Sequence, residues 1–218
     1  MSTRKCQGFG RALSSGRPDA HERLGHVADD PRTRGRRAPP TTAYAWRGVL
    51  IVPARHWLPV DYLERFVDAM VLLGLNRLHL HLTDDQGWRI DVPGWPRLRE
   101  IGSVRAASQT TLDPTSTDDI PHGGCYTDDE LRGLVAYAEA RGVIVVPEID
   151  MPGHMTAAIA AYPHLGNVDV SGPHQVSTRW GVHDTVLNLS DETIAFCRDV
   201  LEHVLSIFPA PWIHIGGD

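Results

Sequence analysis

The chain has 218 residues, 42% of them hydrophobic and 22% charged, with a formal net charge of −6. This is ordinary globular composition, long enough for one domain with a sizeable core or for two small ones. No run approaches the ~18 apolar residues of a membrane-spanning helix, so no membrane partner is expected. The three cysteines (Cys6, Cys125, Cys197) form no CxxC pair, and the acidic balance argues against a general nucleic-acid binder.

Residues 1–42 stand apart. They hold nine of the 21 Lys/Arg and four of the 27 Asp/Glu, a net of +5 against −11 for the remainder. The segment is rich in Gly, Ser, Pro and Arg, and its larger apolar side chains are Phe9, Leu13, Leu24 and Val27. So little apolar surface cannot offset the entropy of ordering the chain, which predicts a disordered Arg-rich leader over 1–42. A basic arm for an acidic partner is the alternative. No apolar core of roughly 7–15 residues follows the basic residues, so no export signal is read and the cytoplasm is the default compartment.

From Trp46 onward short apolar runs alternate with amphipathic stretches. Gly48 to Val52 (GVLIV) is a β-branched run closed by Pro53, which suits a buried strand. Leu63, Phe66, Val67, Met70 and Val71 then form a helical stripe within 61–73, and Gly74 sits where a C-cap belongs. Arg77 to Thr83 (RLHLHLT) alternates with period two and reads as the second strand. Thr127 to Glu130 is a capping-box pattern ahead of a stripe of Leu131, Leu134, Val135 and Ala138. Gly142 ends that helix, and Val143 to Val146 (VIVV) is the third strand. A helix opens at Ser190 with Ile194, Cys197, Leu201, Val204, Leu205 and Phe208 on one face. Pro209 stops it, and Trp212 to Ile215 is the fourth strand. The alternation predicts an α/β fold of parallel β/α units.

The segments entering strands are short and those leaving them are long, 84–126 and 150–189. Polar groups gather just after every strand: Arg55-His56, then Asp84-Asp85-Gln86, then Glu148, Asp150 and His154, then Gly216-Gly217-Asp218. In a β/α barrel that rim carries the chemistry. Arg55 reads as a guanidinium turned inward, with a solvated surface charge as the alternative. His79 and His81 share one side of a strand, either packed and hydrogen-bonded inside the barrel or acting as a metal pair with Asp84. Trp88 and Trp95 either pack the long loop or stack on sugar rings. Cys125 has no base beside it and reads as inert.

The segments HLHLTDDQGWR (His79–Arg89), VPEIDMPGH (Val146–His154) and HIGGD (His214–Asp218) resemble the motifs of family 20 glycoside hydrolases, the β-N-acetylhexosaminidases. AWRG and RHWLPVD (45–48 and 55–61) resemble the same family's first-strand region. The resemblance runs from Trp46 to the last residue and implies a (β/α)8 TIM barrel, of which 43–218 would carry about the first four strands. It implies retaining hydrolysis of terminal β-linked N-acetylglucosamine or N-acetylgalactosamine, with the substrate's own acetamido oxygen as nucleophile. No cofactor or metal is needed, and the partner is a carbohydrate bearing a terminal N-acetylhexosamine.

By the same resemblance, Asp218 matches the Asp that orients the acetamido group and stabilises its developing charge. Arg55 matches the arginine that binds the sugar's O3 and O4. Asp84 and His154 match a pair that supports the general acid, and Asp150 and Glu148 stand behind them. Two departures bear on activity. The family's general-acid Glu follows the Asp matched by Asp218 and is not within these 218 residues. Val52 stands where the family usually carries an Asp. The polypeptide by itself is therefore expected to be a partial barrel with open strand edges, inactive alone. A metal-dependent barrel hydrolase using His79, His81 and Asp84 is one rival reading, and a non-catalytic sugar-binding remnant is the other.

Overall fold

The structure, a computed structural model, describes residues 43–167 and 174–217. The leader reading for 1–42 and the residue Asp218 lie outside the described residues. Within them the chain forms β1 (Gly48–Ile51), α1 (Val60–Leu72), β2 (Arg77–Asp84), β3 (Gly87–Trp88), β4 (Val104–Arg105) and β5 (His122–Gly123). It continues with α2 (Asp128–Glu139), β6 (Ile144–Met151), α3 (Thr156–Ala161), α4 (Asp191–Ile207) and β7 (His214–Gly216). The main sheet has the order β1-β2-β6-β7, and each of these neighbours is parallel, as the β/α alternation requires. Strand β3 folds back antiparallel on the end of β2. None of the described helices is long and apolar enough to cross a membrane.

The register divides each strand between two faces. Leu50 pairs with His79, His79 with Val146, His81 with Glu148, and Glu148 with His214. Alternation then turns Leu78, Leu80, Leu82, Val145 and Ile149 to the opposite side, where all are buried in one apolar cluster with the helices. That cluster takes Leu63, Val67 and Met70 from α1 and Leu131, Leu134, Val135 and Ala138 from α2. Val71 of the expected α1 stripe is instead 41% exposed. The capping box of α2 is closed in both directions. Thr127 Oγ1 accepts from the Glu130 N–H, and a Glu130 carboxylate oxygen accepts from the Thr127 N–H at 2.8 Å.

Three elements differ from their sequence reading. Strand β6 continues through Pro147, Glu148 and Asp150 to Met151, so these carboxylates belong to the strand rather than to the loop after it. A proline and two acids suggest a strand's end, but here the acids face imidazoles across the sheet and so tolerate burial. Helix α4 buries Thr193, Phe196, Val200, Val204 and Ile207, leaving Ile194 and Leu205 about half exposed. That face lies one residue, about 100°, from the expected stripe. Phe196 decides it, because its ring packs on Trp95 and Trp88 at centroid distances of 4.9 and 6.0 Å. The fourth strand begins at His214 rather than Trp212.

The two long segments are partly ordered. The first holds β3, a π-turn at Leu98–Gly102 and the β4–β5 pair, and the second holds α3.

Candidate active site

The sheet face away from the helices is ionisable, and Glu148 is its centre. One carboxylate oxygen lies 2.7 Å from His79 Nε2 and 3.3 Å from His81 Nδ1, and the other lies 2.7 Å from His214 Nδ1. The His79 approach is an ion-pair contact rather than a well-aligned hydrogen bond. Burial favours the protonated form of Glu148, yet the three imidazoles outweigh it and hold its carboxyl below the usual range. His81 goes the other way: burial pushes its imidazole down against the pull of Glu148 and Asp84. Its Nε2 lies 2.6 Å from the Thr83 carbonyl. His81 is therefore packed and hydrogen-bonded inside the sheet, as the structural reading has it, whereas His79 packs on Glu148 without an aligned hydrogen bond.

At the strand ends the charged groups converge. Arg55 Nε donates to Asp84 Oδ2 at 2.7 Å, so the guanidinium turns inward, although its side chain stays 51% exposed. The other Asp84 oxygen accepts from the Asp85 N–H and lies 3.2 Å from His154 Nδ1. The same imidazole nitrogen is closer to Asp85, at 2.9 Å, and Asp85 also accepts from the Thr156 backbone and hydroxyl. Burial opposes a charged His154, but Asp84, Asp85 and Asp150 outweigh it and raise its pKa. His154 itself takes a left-handed backbone, φ 53°. The sequence reading chose Asp84 alone as its partner and missed Asp85. The signal was the adjacent pair in TDDQ, since a chain leaving a strand can turn neighbouring side chains toward one centre.

Asp150 is buried, and its N–H donates to Thr83 Oγ1. It also explains Gly216: φ is +67°, and a Cβ there would collide with an Asp150 carboxylate oxygen. Asp218, the remaining expected site residue, is outside the described residues.

A buried guanidinium sets this geometry. Arg89, wholly inaccessible, donates to the carbonyls of Pro53, Ala54, Ser103 and Gly124. It thereby ties the β1 exit to the long loop after β2, immediately beside Arg55. Burial lowers its pKa only to about 10, so it stays charged. Gly87 is needed because a Cβ would occupy the guanidinium's place.

Trp88 is fully buried, and Trp95 packs on Tyr162 and Phe196 while its Nε1 donates to Asp199. Both tryptophans serve packing. Burial pushes the Cys125 thiol up to about 12, which fits an inert cysteine. The described residues offer three ligand-capable groupings: His79, Glu148 and His214; His81, Glu148 and Asp150; and Asp84, Asp85 and His154. The trio His79, His81 and Asp84 is not one of them; Glu148 lies against both imidazoles, and Arg55 pairs with Asp84.

Sequence comparison matches residues 44–218 to the catalytic domain of glycosyl hydrolase family 20. The chain belongs to that family. A beta-hexosaminidase of Akkermansia muciniphila is 42% identical over 194 residues, covering 89% of this chain and 36% of the relative. A beta-N-acetylhexosaminidase of Cellulomonas fimi is 41% identical over 179 residues, 80% of this chain and 33% of the relative. The chain thus spans about a third of the length of these relatives. Among solved structures, a beta-N-acetylhexosaminidase aligns at a TM-score of 0.74 with 44% identity, covering 81% of this chain and 36% of that one. The Streptomyces plicatus enzyme, solved with Thio-NAglucal, aligns at 0.68 with 38% identity, covering 79% and 32%. The parallel sheet and its crossover helices are accordingly part of a (β/α)8 barrel.

Proposed function

We propose that these residues form one side of the active site of a retaining β-N-acetylhexosaminidase. It would release terminal β-linked N-acetylglucosamine or N-acetylgalactosamine from oligosaccharides or glycoconjugates. The observation that carries this reading is the cluster Arg55–Asp84–His154–Asp85 at the ends of neighbouring parallel strands. Residues 43–218 are taken as part of the catalytic barrel, and 1–42 as a leader outside it.

In this reading the substrate's acetamido oxygen attacks the anomeric carbon while the glycosidic bond breaks and the leaving oxygen takes a proton. Water then adds to the anomeric carbon from the face the leaving group vacated, giving a proton back to the acid–base group as the oxazolinium C–O bond breaks, so two inversions retain the configuration. Asp218 holds the acetamido N–H and offsets the positive charge that develops there. Arg55, oriented by Asp84, holds the O3 and O4 hydroxyls, and a charged planar fork suits two adjacent oxygens. The Asp84–His154 pair, shared with Asp85, tunes and orients the proton donor. Asp150 and Glu148 fix the strand ends behind them. The reaction as proposed draws on no cofactor.

The test is titration with an N-acetylglucosamine-thiazoline, which mimics the cyclised intermediate. Saturable binding is expected, with no competition from a β-glucoside that lacks the acetamido group. Equal binding of the two would sink the reading. Turnover of a chromogenic N-acetylglucosaminide by the 218-residue polypeptide alone is expected to be absent, since loss of a general acid by itself costs ~10²–10⁴-fold.

A further inference from the structure

Strand β4 ends on a second guanidinium, Arg105, close to Arg55. It is 4% exposed. Its donors go to neutral oxygens: Nε and one terminal nitrogen to Ser108 Oγ at 3.0 and 2.8 Å, and the other to the Gln86 carbonyl at 3.1 Å. The acid whose field reaches it is Asp118, but that carboxylate already accepts the N–H groups of Ser108 and Ile120. Arg105 is thus a buried cation whose hydrogen-bond partners are neutral, and an anion entering its surroundings gains from the uncompensated charge.

Beside it lies a cavity of about 390 Å³, lined by Arg55, His56, Arg105, Ser108, Gln109 and Trp180. None of the described lining residues is acidic. Arg55 and Arg105 are the two cations among the described lining residues, and Asp84, in contact with Arg55, offsets part of the first charge only. His122 is the cross-strand neighbour of Arg105. Its imidazole is pushed down to about 4, by burial and then by Arg105, His56 and Arg89. Trp180 is 57% exposed and offers an aromatic wall, and the volume falls within the ~300–1,000 Å³ of small-molecule sites.

We propose that this cavity binds an anionic group, a sulfate ester or a carboxylate, carried by the terminal sugar on the side that Arg55 holds. The inference rests on the hexosamine reading for the sugar, but the cavity and its charge stand on their own geometry.

The experiment titrates the 218-residue chain with methyl N-acetyl-β-glucosaminide, its 3-sulfate and 4-sulfate, and its 3-O-carboxymethyl ether, following tryptophan fluorescence. An anionic ligand is expected to bind at least about tenfold tighter than the neutral one. Comparing the sulfates with the ether shows which anion the cavity prefers. Arg105→Gln and His56→Glu should each remove the preference and leave neutral-sugar affinity unchanged. His56 is exposed, so its variant serves if Arg105→Gln fails to fold. Equal affinity for neutral and anionic ligands overturns the proposal while sparing the hexosamine site. A preference that survives His56→Glu also overturns it, by placing the anion elsewhere. Anion binding without neutral-sugar binding keeps the cavity and sinks the hexosamine reading, whereas no binding of any ligand sinks both.

Discussion

The two faces of the parallel sheet are built from alternate residues of the same strands and behave as different materials. Toward the helices, Leu78, Leu80, Leu82, Val145 and Ile149 are buried in one apolar cluster. Toward the other side, His79, His81 and His214 form a polar network around the Glu148 carboxylate. The apolar face resists unfolding through non-directional burial, so it tolerates exchange of one hydrocarbon for another. The ionic face adds little net stability per pair, because desolvation offsets attraction, but it demands particular partners and strand register. That demand is useful where β2, β6 and β7 must bring Asp84, Asp150 and the start of GGD to one rim. The helix side holds the fold, and the ionic side aligns the site.

The sharpest separation of the two faces is Leu80→Ala. Removing a fully buried side chain should cost ~2–5 kcal/mol in denaturant unfolding, and the folded fraction should bind the thiazoline as before. A matching loss of ligand affinity would show that the faces are not independent. On the ionic side, Glu148→Gln should cost less, ~1–3 kcal/mol, because imidazoles lose an acceptor without leaving a void. It should also change the acid limb of stability. The folded carboxyl titrates below its ordinary 4.5, so its contribution is present above that value and disappears as pH falls through the folded pKa. The Gln variant should lack this limb of the wild-type profile.

The smallest effect belongs to His154. Its folded pKa is raised, so its contribution is complete below the ordinary 6.5 and lost as pH rises through the folded value. His154→Asn keeps a residue that accepts φ 53° and removes the charge. It should cost about 1 kcal/mol at pH 5.5 and less as pH rises through the folded pKa. His81, depressed by burial, acts in the opposite sense, losing stability as pH falls below 6.5. Thermal unfolding of the variant and wild type across this range separates the two histidines.

Much of this is legible in the sequence. Period two in RLHLHLT assigns leucines to one face and histidines to the other, and the strand-end polar groups do form a cluster. The capping box and the α2 stripe were local signals that tertiary packing left intact. Three features were hidden for identifiable reasons. The α4 face depends on where Phe196 meets Trp88 and Trp95, which no periodicity along a helix apolar on several sides can specify. The length of β6 was masked by Pro147 and by acids whose burial is permitted only by histidines from other strands. The Arg105 cavity joins residues with no shared motif, brought together by the Arg89 staple and the β4–β5 pair.

The most direct test of the central claim is the affinity of N-acetylglucosamine-thiazoline for the wild-type chain and for Arg55→Ala. The account predicts saturable binding that weakens at least about tenfold in the variant, the scale of one charge-assisted hydrogen bond. Binding unchanged by the substitution, or absent from the wild-type chain, would contradict the assignment of the Arg55–Asp84–His154 rim to a hexosamine ring.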